Sequence, residues 1–139
     1  MIRESDAAYM AGLFDGEGSI DFTKRKEKKR SGTYNCRRVS MEISMTDQSV
    51  IRWVHEVLGV GTVVKKPRKG LRKNGTKYLM QWRWRCTFRD AYYVCRVMWP
   101  YAHTKLPKIQ QVIDHYSKEK IMEGNVVSLN EYRKAMSLE

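Results

Sequence analysis

The sequence predicts an α+β fold in which four antiparallel strands form one sheet and helices cover one of its faces. The predicted elements follow the order αββαββα, with a helix before each pair of strands. The strand segments alternate between apolar and polar residues, as in a sheet with one buried and one open face. Turn-forming residues, Ser31-Gly32 and Asn74-Gly75, separate the two strands of each pair.

The length of 139 residues suits a single domain, expected to span residues 1–139 with a core at about 6–122. No apolar run approaches the roughly 20 residues of a membrane span, and the N-terminus lacks the apolar core of a secretory signal. We therefore expect no membrane partner. Cys36, Cys86 and Cys95 lack the spacing of a metal site, which predicts free thiols in a reducing, intracellular compartment.

The charge of the chain is strongly positive. Lys and Arg number 27 against 15 Asp and Glu, which gives a net charge of +12 and a pI of about 9.8. This surplus predicts a polyanionic partner, above all nucleic acid, with a solvated basic surface as the alternative. The basic residues concentrate at 24–30 and 65–73, where we expect the tips of two hairpins.

Residues 7–14 form the first predicted helix, with Ser5 as its N-cap and Asp6 in its first turn. Gly16 and Gly18 are expected to end it, since glycine accepts the left-handed conformation. One side of this helix is apolar. The other side is nearly flat, and small side chains allow two helix backbones to touch closely. The residues of the flat side are Ala8, Ala11, Gly12, Asp15 and Gly16.

Two acids, Asp15 and Glu17, lie at the C-terminal end of this helix, where the carbonyl groups are already negative. Carboxylates in this position need a cation or hydrogen-bond donors from a partner. One interpretation is a solvated turn. The other is a site for a hard cation such as Mg²⁺, which prefers oxygen ligands and can bridge phosphates.

The first pair of strands is expected at residues 20–25 and 34–45. Thr46-Asp47 opens a helix at 48–58, and strands at 62–66 and 78–88 follow. On the last strand, Trp82 and Trp84 lie on the side opposite Arg83, and this aromatic side is either core or a platform for stacking bases.

Further helices are predicted after the fourth strand. One covers residues 90–101 and is ended by Pro100, and the next covers 107–121 and begins with Pro107. Ser128 and Glu131 form a capping box that opens a short C-terminal helix at 128–138.

The nine residues from Met10 to Gly18 resemble the signature motif of the LAGLIDADG homing endonucleases. Met10, Leu13 and Phe14 occupy its apolar positions, and Glu17 replaces the penultimate Asp while keeping the carboxylate. The predicted order of elements over residues 6–120 is also the order of this family. The resemblance implies a curved antiparallel sheet whose polar face reads DNA.

The resemblance also implies a function. It indicates a site-specific, Mg²⁺-dependent endonuclease, encoded in an intron or intein, that hydrolyses phosphodiester bonds on both strands of a long pseudo-palindromic site in double-stranded DNA. Mn²⁺ or Ca²⁺ can replace Mg²⁺ in binding, and no small-molecule cofactor is expected. The alternatives are a non-cleaving RNA-splicing maturase, a DNA-binding regulator of the same fold and an unrelated basic RNA-binding protein.

The resemblance assigns roles to five residues. The Glu17 carboxylate binds the metal, with the carbonyl of Gly16 completing the site. Asp47 falls where the family orients the attacking water, but it can equally be the N-cap of the second helix. Lys105 falls at a cation near the scissile phosphate, with an ordinary surface lysine as the alternative. Arg52 is a weaker catalytic candidate, since the family's basic residue falls there or at Ile51.

A single motif implies a homodimer, because cutting a duplex needs one site for each strand. The residues expected at the dimer interface are Ala8, Ala11, Gly12 and Asp15. Polar positions of the strands and tips are expected to contact bases and phosphates, although one bulge in the fourth strand would exchange its two sides. They are Thr23, Arg25, Arg38, Ser40, Ser44, Lys66, Arg68, Gln81, Arg83 and Arg85.

Overall fold

The computed structural model describes residues 2–121, with side chains as far as residue 117. This part of the chain confirms the predicted α+β fold and the αββαββα order, followed by one further helix. The predicted helix at 128–138 lies outside the described residues. The observed elements are α1 (Glu4–Glu17), β1 (Gly18–Lys29), β2 (Gly32–Met45), α2 (Gln48–Leu58), β3 (Thr62–Lys66), β4 (Gln81–Thr87), α3 (Phe88–Met98) and α4 (Leu106–Ile121).

The four strands form one antiparallel sheet in the order β1-β2-β4-β3. β1 and β2 make a long hairpin that runs from the pair Gly18–Ile43 to the pair Lys29–Gly32. β4 lies against the other end of β2, where Met45 is opposite Trp82. The tip of the first hairpin at residues 30–31 and the connection at 67–80 therefore lie toward opposite ends of β2.

Helices cover one face of the sheet and form the core with it. Alternate residues of β2 and β4, such as Met41 and Trp84, point into this core and are fully buried. The indole nitrogen of Trp84 donates to the carbonyl of Val60 at 2.9 Å, so its polar atom is satisfied. The aromatic side of β4 is therefore core and not a platform for stacking bases.

Both ends of α1 differ from the prediction. Its N-cap is Arg3, and Ser5 lies inside the first turn, so the predicted Ser5 cap is wrong. Arg3 Nε instead donates to Asp6 Oδ2 at 3.2 Å. Gly16 is helical and Gly18 is extended, with φ −87°, so no left-handed glycine ends the helix. Gly18 is needed for space, because a Cβ there would collide with the Phe14 ring.

The middle of the chain follows local signals closely. α2 and β3 have the predicted bounds, and α2 ends before Gly59, whose φ of +70° suits glycine. β4 and α3 are both shorter than their predicted ranges, 78–88 and 90–101. The strand turns directly into the helix at Phe88, whose φ is +50°, so α3 begins two residues earlier than predicted.

The cysteines are free thiols, as predicted. Cys86 and Cys95 are buried, and burial raises the pKa of Cys86 to about 12, which keeps this thiol neutral. Within residues 2–121, no helix combines the length and apolarity that crossing a membrane requires.

Candidate functional site

Glu17 is the last residue of α1 and is exposed to solvent. The last carbonyl groups of a helix lack partners within the helix, and Gly16 belongs to this final turn. Within residues 2–121 no hydrogen bond or ion pair engages the Glu17 carboxylate. The C-terminal end of α1 therefore offers oxygen donors that suit a hard cation, with the negative end of the helix behind them.

The described residues hold no group of three or more His, Cys, Asp or Glu side chains arranged to bind a metal. A cation at Glu17 would thus receive few ligands from one subunit. The remaining ligands would be water or phosphate oxygens, which is the usual way Mg²⁺ is held at phosphoryl sites. The residues present fit a metal shared with a phosphate better than a closed structural site.

Asp15 is held quite differently from Glu17. Its Oδ2 accepts from the backbone N–H of His103 at 2.8 Å, and its Oδ1 accepts from that of Lys105 at 2.9 Å. Partial burial raises the pKa of Asp15, but these backbone donors outweigh it and lower the pKa overall. Both carboxylate oxygens bind within the subunit, and the place of Asp15 in the dimer interface stays a prediction.

The Asp15 contacts bring Lys105 to the end of α1. The Lys105 amide lies against Asp15, and Asp15 is two residues before Glu17 on the same helix. The backbone of Lys105 thus lies at the last turn of α1, although Lys105 is 88 positions further along the sequence than Glu17. Lys105 is half-buried, as expected for a side chain at the edge of a site.

Asp47 is the N-cap of α2. Its Oδ1 accepts from the N–H of Ser49 at 3.1 Å, from the Ser49 hydroxyl at 2.6 Å and from the N–H of Val50 at 3.3 Å. The Ser49 hydroxyl, followed by the Val50 amide, lowers the pKa of Asp47. All three bonds end on Oδ1, and Oδ2 has no partner among residues 2–121. Capping is confirmed, and it leaves one oxygen open to water.

The family's basic residue is predicted at Ile51 or Arg52. Ile51 is fully buried and Arg52 is exposed, so Arg52 is the one of these two that can reach a ligand. Its guanidinium carbon lies 6.0 Å from the centre of the Trp82 ring. With its amide oxygen turned toward Arg52, Gln48 accepts from Nε at 2.9 Å and from Nη2 at 2.7 Å. Arg52 is thus oriented at the end of β2 where β4 begins.

The predicted DNA-contacting residues of the strands share the open face of the sheet. Thr23 lies opposite Arg38, and the continuous pairing of β2 with β4 contains no bulge that would exchange the two sides. Ser40 is on this face but only 7% exposed, so it offers little surface to a base. The residues on this face are Thr23, Arg25, Arg38, Ser40, Ser44, Lys66, Gln81, Arg83 and Arg85. Arg68 lies beyond β3, with its guanidinium 4.2 Å from the centre of the Tyr78 ring.

A cluster of four side chains, which we call the Glu42 cluster, lies on the open face and was not foreseen. Glu42 lies 3.1 Å from Lys66 and 3.8 Å from Arg83, and Ser44 is 3.5 Å from both Glu42 and Lys66. The alternation of β2 predicts only that Glu42 points to the open face. Its partners follow from the strand order β2-β4-β3, which local pattern does not contain.

The outer side of α1 carries a stripe of small exposed residues. Ala8, Gly12 and Gly16 are exposed at intervals of four, and a Cβ on either glycine would meet nothing within 4 Å. Ala11 is fully buried in the core of its own subunit, so its prediction as an interface residue is wrong. The exposed small residues on this side of α1 are Ala8, Gly12 and Gly16, without Ala11.

The sequence matches the family model described as LAGLIDADG endonuclease over residues 10–87, which is more than half of the chain. A search of the curated proteins finds no match. Several solved structures share the fold.

One is the homing endonuclease I-CvuI in complex with its target, at 20% identity and a TM-score of 0.59, covering 80% of this chain and 65% of that one. A second is I-SmaMI bound to cleaved DNA, at 18% identity and a TM-score of 0.60, covering 94% of this chain and 42% of that one. A third is the group I intron-encoded I-CeuI complexed with DNA, at 13% identity and a TM-score of 0.57, covering 88% and 57%. The matched part of this chain thus spans 65% of the length of I-CvuI, which is less than two thirds.

Proposed function

Because the chain belongs to the LAGLIDADG endonuclease family, we propose that it is a site-specific homing endonuclease that hydrolyses both strands of a long pseudo-palindromic site in double-stranded DNA. The observation that carries this proposal is the end of α1. The exposed carboxylate of Glu17 has no partner among residues 2–121, and Asp15, two residues earlier, binds the backbone N–H of Lys105. A merely structural helix end would carry a basic residue in its last turn, and α1 has none.

The proposed cofactor is Mg²⁺, bound by the Glu17 carboxylate and the carbonyl of Gly16, with Mn²⁺ or Ca²⁺ able to replace it in binding. I-CvuI structures with DNA were obtained in the presence of Ca or Mg. When bound, the metal would supply an activated water and stabilise the leaving oxygen of the phosphodiester. This proposal is compatible with the oxygen donors present and requires no other cofactor.

The side chains around Glu17 would share the rest of the chemistry. The ammonium group of Lys105 would stabilise the negative charge that develops on the scissile phosphate. The Oδ2 of Asp47, which has no partner among residues 2–121, would orient the attacking water while Oδ1 keeps the helix cap. Arg52, held by Gln48, would contribute a second positive charge.

The proposed active form is a homodimer. One subunit has one Glu17, and two strands of opposite polarity require two such sites related by a twofold axis. The stripe Ala8, Gly12 and Gly16 is the surface we assign to the dimer interface, because side chains of this size let two helices approach closely.

Cleavage of a plasmid library with Mg²⁺, compared with EDTA, tests this function. Glu17→Gln should reduce cleavage of the selected site by about a hundredfold or more, since metal catalysis stabilises the transition state by several kcal/mol. DNA binding by this variant should persist. Glu56→Gln is the matched control, because Glu56 is also an exposed helical acid and should leave cleavage unchanged.

Two outcomes would contradict the proposal. If Glu17→Gln cuts as fast as the wild type, Glu17 does not hold the metal. If the wild type binds one duplex tightly but never cuts it with any of the three cations, the non-cleaving maturase or regulator becomes the better account.

A further inference from the structure

The Glu42 cluster contains an acid where the proposed function needs positive charge. DNA phosphates would approach the open face, and a carboxylate there repels them. Glu42 also compensates two cations, Lys66 at 3.1 Å and Arg83 at 3.8 Å. A surface that served affinity alone would therefore be stronger without Glu42, and its presence on this face calls for another role.

The cluster restricts long and flexible side chains. Lys66, Arg83 and Glu42 have side chains that are 43%, 31% and 27% exposed, so none of them extends freely into solvent. Lysine and arginine have the largest rotamer freedom of all residues, and a contact made by a free one must overcome its ordering. Here the ordering is done before DNA arrives, because Glu42 binds both cations.

The contacts within the cluster also leave some hydrogen-bond donors of Lys66 and Arg83 available to DNA and occupy the others. Arg83 Nη1 lies 3.8 Å from Glu42 Oε2, and Arg83 Nε is buried with no partner among the described residues, so two of its three nitrogens are turned toward the protein. Lys66 directs its ammonium group to Glu42 and Ser44, which leaves one of its three donors. Donors in fixed directions suit the O6 and N7 acceptors of guanine in the major groove.

We infer that Glu42 is a positioning residue for sequence recognition, an inference that rests on the proposed DNA-binding function. By holding Lys66 and Arg83, it directs them to guanine edges at defined positions of the target. By its charge, it weakens binding to all other sequences. Glu42 therefore raises discrimination and lowers general affinity for DNA.

Glu42→Gln tests this role, because it keeps the shape of the side chain and removes its charge. Binding sites are selected with the wild type and with the variant, and both proteins are then titrated with the selected duplex and with random duplexes. The variant should bind random DNA a few times more tightly, and the ratio of selected to random affinity should fall roughly tenfold or more. The preference should be lost only at the base pairs read by Lys66 and Arg83.

Glu27→Gln is the matched control. Glu27 is on the same face and is also ion-paired, 3.9 Å from Lys29, but it lies near the tip of the β1–β2 hairpin. Its replacement should raise both affinities by the same factor and leave the ratio unchanged.

A double-mutant cycle with Lys66→Met separates positioning from direct contact. If Glu42 acts through Lys66, adding Glu42→Gln to Lys66→Met should cause no further loss of preference at the base pair that Lys66 reads. Independent losses at different base pairs would mean that Glu42 itself accepts from a cytosine amino group, and would overturn the positioning role.

The remaining outcomes are also distinct. An unchanged affinity ratio in Glu42→Gln would overturn the inference while the proposed function stands. A wild-type protein that selects no sequence at all would overturn the proposed function, and the inference with it.

Discussion

The two ends of β2 hold their charged side chains in different ways. At the end near Met45, which we call the proximal end, Glu42 fixes Lys66 and Arg83 at 3.1 and 3.8 Å. The other end belongs to residues 23–35, the distal hairpin, in which every residue is exposed. Within this described segment the one ion pair is Lys29 with Glu27, at 3.9 Å. The backbone pairing nevertheless continues to the last residues before the turn.

The end of α1 belongs with the proximal end. β1 begins at Gly18, directly after Glu17, and Gly18 pairs with Ile43. Here too the charged groups have fixed partners, since Asp15 binds two backbone amides and Asp47 caps α2. Positive charge is abundant at both ends of β2, and among the described residues Glu42 holds two of the cations at the proximal end, Lys66 and Arg83.

This difference indicates separate roles for the two ends. A charged side chain without a fixed partner attracts DNA phosphates whatever the base sequence. Salt weakens this attraction, since charges more than about 10 Å apart are screened at 0.1 M. Charges held at fixed distances contribute through geometry, which screening changes less. We therefore expect substitutions at the proximal end to change what the protein does, and substitutions in the distal hairpin to change only how tightly it binds.

The largest effect should come from Gly12→Leu, on the outer side of α1. A leucine there keeps or improves helix propensity, so the subunit should fold, but it would separate two helices packed on the small stripe. Size-exclusion chromatography should change from a dimer to a 16.4 kDa monomer, and double-strand cleavage should be lost.

Ser31→Leu is the control for this change, since it adds the same side chain at the exposed tip of the distal hairpin. It should leave the dimer and its cleavage intact. If Gly12→Leu still elutes as a dimer, the stripe is not the interface and the proximal end loses its proposed partner.

The next effect should come from Asp15→Asn. An amide can accept only one of the two N–H bonds, and its own NH₂ would face the other donor, so the loop that carries Lys105 should loosen. We expect a stability loss of about 1 kcal/mol by denaturant unfolding, because Asp15 is partly exposed, together with a fall of cleavage rate. Glu56→Gln, at an exposed position of α2, should change neither quantity. Equal cleavage by Asp15→Asn and the wild type would contradict the link between Asp15 and Lys105.

The pH dependence of the same variant follows from the sign of the pKa shifts. The pKa values of Asp15 and Asp47 are lowered by folding, so their contributions to stability are complete above the unfolded value of about 4. These contributions are lost as pH falls through the folded values. Asp15→Asn should therefore lose less stability than the wild type between pH 6 and pH 3, as measured by denaturant unfolding at both pH values.

The smallest effects should come from the distal hairpin. Arg25→Gln and Arg30→Gln, made singly, should weaken binding to selected and random duplexes by the same factor. Each should reduce the slope of log K against log salt by about 1, the value for one phosphate contact. Lys66→Gln is the proximal counterpart and should relax sequence preference. If Arg25→Gln relaxes it as much, the two ends do not differ in the way described.

Much of the fold could be predicted because its signals are local. The alternation of β2 assigns Val39, Met41 and Ile43 to the core, and all three are buried. Asp47 before α2 and Gly59 after it fix both ends of that helix, since caps act within one turn of the residues they terminate. The motif residue Glu17 could be singled out for the same reason, because an acid at the end of a helix is unusual within its own turn.

The sequence by itself therefore determined the elements, the two faces of the sheet and the end of α1 that carries the exposed acid. The tertiary structure decided which groups meet there. Asp15 finds its donors in residues 103–105, Glu42 finds its cations on β3 and β4, and Ala11 proves to face the core. The contacts of Asp15 and Glu42 join residues that are far apart in the chain. The burial of Ala11 depends on how α1, which has small residues on two sides, is rotated against the core. The alternation of apolar residues and the capping of helices act over a few residues. The order of the strands, the rotation of a helix and the docking of a loop are fixed only when the whole core packs.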